Sequence, residues 1–238
     1  MKDAAGELAF SDSDRAAVYR AIRERRDIRR QFTGEPLSAE TLRRMLEAAH
    51  LAPSVGLSQP WDFIVVRDAA TRHSIQRLVQ EERAAFAGML GDDRASLFRE
   101  IKIEGIVESS LNICVTCDCT RGGRHVLGRH AIPETAAYST CLAIANFWLA
   151  ARAEGIGVGW VSFYRKDDLR RILALPLHLD PIAYLCVGPV TEFPPLPDLE
   201  AHGWEHRRRL RSHVFDEQWG FSSDLFPRGG EVVVEGGT

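Results

Sequence analysis

No stretch of this chain approaches the roughly 18 consecutive apolar residues that a membrane span requires. The opening residues, Met1 to Leu8, carry charge where an export signal would carry an apolar core, so the expected compartment is the cytoplasm. A basic excess is missing too: 30 Lys and Arg stand against 33 Asp and Glu, a net charge of −3. That balance leaves no electrostatic footprint for nucleic acid or an anionic membrane, and neither partner is expected. Lysine is nearly absent, with Lys2, Lys102 and Lys166 the only three. Arginine supplies the remaining positive charge as planar forks that match the paired oxygens of phosphates and carboxylates.

The common nucleotide devices are absent as well. There is no Gly-x-Gly-x-x-Gly after a first strand and no Walker loop, and Gly155-Ile-Gly-Val-Gly159 has the wrong spacing for either. No histidine stands at triad or zincin spacing. The five cysteines, Cys114, Cys117, Cys119, Cys141 and Cys186, are odd in number and read as reduced thiols. Cys114-Val-Thr-Cys117-Asp-Cys119, with His125 and His130 nearby, invites a metal. No second cysteine pair completes a zinc or iron–sulfur ligand set, so no metal is expected.

What remains is a chain of 238 residues, 45% hydrophobic and 26% charged, enough for one large domain or two small ones. Ser11 and Ser13 can cap a helix running to about Arg26, with Val18, Tyr19 and Ile22 on its apolar side. Ser38 can cap a second, with Leu42, Met45, Leu46 and Ala49 on one face. Pro53 to Pro60 reads as a loop and Trp61–Val66 as a strand. A helix is predicted over about 71–90, then a surface loop over 91–105 with the composition of a flap. Further strands are predicted at 111–116, 157–163 and 182–187, and helices at 135–154, ended by Gly155, and 167–173. The order is not a strict strand–helix repeat. It predicts an α+β fold, a mixed central sheet flanked by helices.

Three segments can carry chemistry. Arg25-Arg26-Asp27-Ile28-Arg29-Arg30 reads either as a solvated helix end or as a phosphate clamp. Asp27 there is either an arginine's partner or, if it points into an apolar pocket, a proton acceptor or donor. The loop 52–61 offers Ser54, Ser58 and Gln59 among apolar residues, which suits an uncharged polar ring system or simply a turn. Ser162 ends a glycine-rich strand, where glycine allows something to approach the backbone closely.

These segments carry a resemblance. Arg25-Arg-Asp-Ile-Arg29 followed by Pro53-Ser-Val-Gly and Gln59-Pro-Trp61 resembles the flavin-binding opening of the nitroreductase-like superfamily. Arg-Arg-Asp, His125-Val-Leu-Gly-Arg-His130, Tyr138-Ser-Thr and the run from Ala150 to Ser162 are similar to the narrower 5,6-dimethylbenzimidazole synthase family. The likeness covers about 11–204, implying one nitroreductase-like domain there, a flexible N-terminus over 1–10 and a C-terminal extension over 205–238.

The resemblance implies that reduced FMN is a substrate, fragmented with molecular oxygen to 5,6-dimethylbenzimidazole, the lower ligand of cobalamin, and erythrose 4-phosphate. A separate flavin reductase would supply it at the expense of NAD(P)H. Arg25, Arg26, Asp27, Ile28, Arg29, Pro53, Ser54, Ser58, Gln59, Val161, Ser162 and Arg211 match flavin-binding positions, with Arg207 the other choice in the tail. Asp27 and Ser162 match the acid and hydroxyl of the fragmentation, and an intertwined homodimer is implied. Leu57 stands where nitroreductases commonly carry Asn. The alternative is an FMN-dependent NAD(P)H nitroreductase; a non-catalytic flavin-sequestering protein is a third reading.

Overall fold

The structure, a computed structural model, describes residues 8–226. Residues 1–7 of the expected N-terminal segment and 227–238 of the expected extension lie outside the described residues. The elements run α1 (Asp12–Glu24), α2 (Ala39–His50), β1 (Trp61–Val66), α3 (Ala69–Ala87), α4 (Asp92–Glu100), β2 (Leu111–Asp118), α5 (Thr135–Ala153), β3 (Ile156–Val161), α6 (Lys166–Ile172), β4 (Leu179–Pro189) and α7 (Asp198–Ala201). Short 3-10 turns cover Val55–Leu57 and Leu210–His213.

The four strands lie in the order β1-β2-β4-β3 and pair antiparallel throughout. Parallel character enters through an isolated bridge between Asp27 and Val158. Strand side chains alternate between two cores. Leu111, Ile113, Val115, Ala183, Leu185 and Val187 join α2 and α5 on one face. Cys114, Tyr184 and Cys186 join residues from α3, α4 and α6 on the other. With both faces covered, β2 and β4 read as near-continuous apolar runs. The α+β expectation holds.

Several boundaries differ from those read in the sequence. The 91–105 segment holds helix α4 rather than a loop alone: Asp92 and Asp93 face the positive helix start, Arg99 sits in the last turn, and buried Phe98 anchors it. One anchoring side chain leaves no apolar stripe to detect. α3 begins and ends earlier than expected, capped by the Asp68 side chain. β4 is longer, with a register shift opposite Val115 and Thr116 that accommodates Pro181. Gly155 does end α5, in the left-handed conformation at φ 73°. Among the described residues the apolar side of α1 is left largely uncovered: Val18, Tyr19 and Ile22 are 48%, 56% and 48% exposed.

Candidate active site

Asp27 is held by backbone pairing. Past the end of α1, Ile28 is fully buried and its N–H donates to the Val158 carbonyl at 3.0 Å, laying this segment along the outer edge of β3. Trp160 N–H donates to Asp27 Oδ1 at 2.8 Å. The glycines of β3 make this possible. A Cβ on Gly159 would lie 2.1 Å from the Ile28 carbonyl oxygen, and one on Gly157 would lie 2.3 Å from Val190. What approaches the strand so closely is therefore the chain's own Asp27–Arg29 segment and its neighbours.

Both orientations of Asp27 were open in the sequence; its carboxylate faces Arg29. Arg29 Nη2 donates to Asp27 Oδ2 at 2.6 Å, Nη1 contacts Oδ1, and Nη2 also donates to the Trp160 carbonyl at 2.7 Å. Burial pulls the Arg29 guanidinium down, but the adjacent Asp27 carboxylate outweighs it and holds the pKa above the ordinary arginine value. The acid end of the pair stays accessible, with its side chain 44% exposed against 13% for Arg29.

The other arginines do not converge on Asp27. Arg25 stacks over the Trp148 ring, 4.7 Å from its centre. Arg26 donates to the Arg23 and Arg25 carbonyls at 2.8 and 2.9 Å and also contacts the Pro195 carbonyl. Burial lowers its pKa, and the charges of Arg207, Arg25 and Arg152 lower it further, against Glu24. Arg25, Arg152 and Arg207 thus surround Arg26, with Arg152 paired to Glu24 at 2.5 Å, and Arg26 Nε is buried with no partner among the described residues. Of the two tail arginines, Arg207 bears on this cluster, whereas Arg211 lies exposed in the 3-10 turn.

A cleft of about 250 Å³ opens beside Asp27 and is lined also by Arg29, Lys102, Trp160, Ser162 and Phe163. Ser162 lies just beyond β3, exposed, while Val161 before it is buried. Phe163 belongs to an aromatic wall, stacked on Phe98 at 6.0 Å and edge-on to Phe86 at 5.7 Å. Lys102, paired with Glu108, was not singled out in the sequence. Its one signal was being one of three lysines. A larger hollow of about 690 Å³ lies between α2 and β1, and none of the sequence-selected residues lines it.

The serine loop sits elsewhere. Ser54 Oγ accepts from Gln59 N–H at 3.0 Å, and Ser139 Oγ accepts from Val55 N–H at 3.0 Å. Pro53 is exposed; Ser58 is buried and its Oγ has no partner among the described residues. Leu57 and Gln59 adopt left-handed backbones at φ 52° and 42°, strain of about 1–3 kcal/mol each that persists where surroundings over-determine it. This loop enters β1, one edge of the sheet, whereas Asp27 lies along β3, the other edge. A single chain does not bring the two together.

Cys114, Cys117 and Cys186 are buried in the sheet, whereas Cys119 and Cys141 are exposed. Burial pushes Cys114, Cys117 and Cys186 up to about 12, and no group of three or more potential metal ligands occurs among the described residues.

The model of the nitroreductase family matches residues 22–189. The chain is 40% identical over 199 residues to 5,6-dimethylbenzimidazole synthase of Rhodospirillum rubrum, covering 84% of this chain and 94% of that protein. Against the enzyme of the same name from Rhodobacter capsulatus it is 34% identical, covering 83% and 95%. In three dimensions it is similar to iodotyrosine deiodinase bound to FMN and 3-iodo-L-tyrosine, with a TM-score of 0.66 at 21% identity over 83% of this chain and all of that one. A putative nitroreductase in complex with FMN from Desulfovibrio desulfuricans gives a TM-score of 0.58 at 24% identity, covering 85% and 97%. The fold is thus that of the nitroreductase family. The chain belongs to the nitroreductase family, within its 5,6-dimethylbenzimidazole synthase branch.

Proposed function

We propose that this protein fragments reduced FMN, with molecular oxygen, to 5,6-dimethylbenzimidazole and erythrose 4-phosphate. The observation that carries the reading is Asp27, a carboxylate pinned by Arg29 and Trp160 N–H yet open to an aromatic-walled cleft that it shares with Ser162. The residues fit a flavin. The positive charge around Arg26, from Arg25, Arg152 and Arg207, suits a phosphate dianion. Trp160, Phe163, Ile101 and Ile103 offer a planar, apolar slot. At about 250 Å³ the cleft takes a ring system rather than the whole of FMN.

Reduced FMN supplies the electrons and the carbon skeleton of the product. Asp27 moves protons at the ring, and the Ser162 hydroxyl orients or relays them. Residues 11–204 form the flavin-binding unit, and the tail adds a phosphate contact through Arg207 or Arg211. The serine loop and Asp27 occupy opposite sheet edges, so a second copy supplies one of them to each site in a homodimer. The uncovered Val18, Tyr19 and Ile22 of α1, beside exposed Tyr138 and Leu142 of α5, suit that role. A separate cytoplasmic flavin reductase delivers reduced FMN.

The test is aerobic incubation of the full chain with FMN, NAD(P)H and a general flavin reductase, followed by mass spectrometry for 5,6-dimethylbenzimidazole. Product that requires protein, oxygen and reduction supports the reading. Direct NAD(P)H oxidation without reductase, with the flavin recovered intact, replaces it by nitroreductase chemistry.

A further inference from the structure

The segment after β2 grips the serine loop through one side chain. Arg121 Nη1 donates to the Gln59 carbonyl at 3.0 Å and to the Trp61 carbonyl at 2.9 Å. Its Nη2 donates to both carboxylate oxygens of Asp62, at 2.8 and 2.7 Å. The carbonyl between them, that of Pro60, accepts from Asp118 N–H at 2.7 Å. Three consecutive carbonyls, 59 to 61, are thus taken by residues 118–121. Arg121 is fixed in turn: Arg129 Nη1 donates to its carbonyl at 2.7 Å, and Asp118 Oδ1 holds the turn by accepting from Thr120 N–H at 2.8 Å. Gly122 and Gly56 both close on Val126, where added Cβ atoms would lie 2.7 Å from its methyl groups.

This grip falls where the backbone is strained. Gln59 is left-handed at φ 42°, and Leu57 two residues earlier at 52°. Such conformations relax unless neighbouring contacts dictate them. The Gln59 carbonyl, whose direction follows from that backbone, is fixed by Arg121. The same backbone sets where buried Ser58 Oγ points, a polar atom with no hydrogen-bond partner among the described residues.

We propose that Arg121 is the positioning residue that holds the 53–61 loop in its flavin-receiving conformation, an assignment that rests on the flavin reading above. It touches no substrate; it acts through Gln59 and Ser58. A lysine does not reproduce it, because one ammonium nitrogen has three donors at a single point, whereas the guanidinium spreads two nitrogens over four acceptor oxygens.

The experiment compares wild type, Arg121→Met and Arg121→Lys as full chains. FMN affinity is read by flavin fluorescence, exchange of the Ser58 and Gln59 amides by hydrogen–deuterium exchange, and thermal midpoint by calorimetry. Arg121→Met is expected to weaken FMN binding about tenfold, the scale of one lost charge-assisted hydrogen bond, and to speed exchange at Ser58 and Gln59. Arg121→Lys retains a cation beside Asp62 and is expected to keep the thermal midpoint close to wild type while leaving FMN affinity reduced. In turnover, the KM for reduced FMN rises while kcat stays within about threefold, since bound substrate meets an unaltered Asp27 and Ser162. Unchanged affinity and exchange in Arg121→Met, with FMN still bound by wild type, overturns the positioning role and leaves the flavin reading intact. Full recovery of affinity by Arg121→Lys also overturns it, because charge alone would then suffice. Absence of FMN binding by wild type overturns both.

Discussion

Gly159→Ala puts the approach of the Asp27 segment to β3 under direct test. The added methyl would lie 2.1 Å from the Ile28 carbonyl oxygen and 2.7 Å from Arg29 Nη1, whereas ordinary contact begins at 3.4 Å. The guanidinium can swing aside. The carbonyl cannot, because it is backbone in a segment tied to β3 by the Ile28–Val158 hydrogen bond. Segment and strand must therefore separate by about 1 Å, an overpacking cost of about 1–3 kcal/mol. Stretching the Ile28 N–H bond adds about 1 kcal/mol. The sum is about 2–4 kcal/mol, a fall in thermal midpoint of about 4–16 °C for a domain of this size. Trp160 N–H loses its hold on Asp27 in the same movement, so FMN fragmentation falls with stability. Gly91→Ala is the matched control, since its Cβ meets nothing within 4 Å. Differential scanning calorimetry of both variants decides the matter. A Gly159→Ala midpoint within 1 °C of the Gly91→Ala value would refute the proposed close packing.

Three further outcomes are expected. Asp27→Asn keeps one acceptor for Trp160 N–H but leaves the Arg29 charge without its counterion; because the carboxylate is 44% exposed, the stability cost is held to about 1–2 kcal/mol, while dimethylbenzimidazole formation drops at least about a hundredfold, as read by product mass spectrometry. Ser162→Gly removes an exposed hydroxyl, so the thermal midpoint stays put while product formation falls, and a variant with wild-type turnover would remove Ser162 from the chemistry. Stability falls on the alkaline side, because Cys114, Cys117 and Cys186 stay protonated to about pH 12 in the folded chain, against an ordinary thiol value of 9.0. Below pH 9 neither state ionises these thiols; above it only the unfolded chain releases their protons. Each thiol then removes about 1.4 kcal/mol per pH unit, which denaturant titrations from pH 8 to pH 10.5 would detect.

The sequence alone determined the elements whose pattern is local. The apolar runs of β2 and β4, the one-sided face of α2 and the glycine ending α5 are properties of neighbouring residues, and each falls close to where the sequence placed it, with β4 extending further at both ends. The chemically equipped residues Asp27, Ser54, Ser58, Gln59 and Ser162 were also legible, because charge clusters and turn chemistry are written in short segments. Helix α4 was not, since a single buried Phe98 gives no period to detect. Tertiary structure decided what depends on distant parts of the chain. It turned Asp27 toward Arg29, showed that the β3 glycines admit the chain's own backbone, and brought Lys102 into the cleft from a segment with no motif. It also separated the serine loop from Asp27 by the width of the sheet, because strand order follows from chain crossings rather than from sequence neighbours. The grip of Arg121 on the Gln59 and Trp61 carbonyls is of the same kind: donor and acceptors are 62 and 60 positions apart, and only the pairing of β1 with β2 sets them side by side.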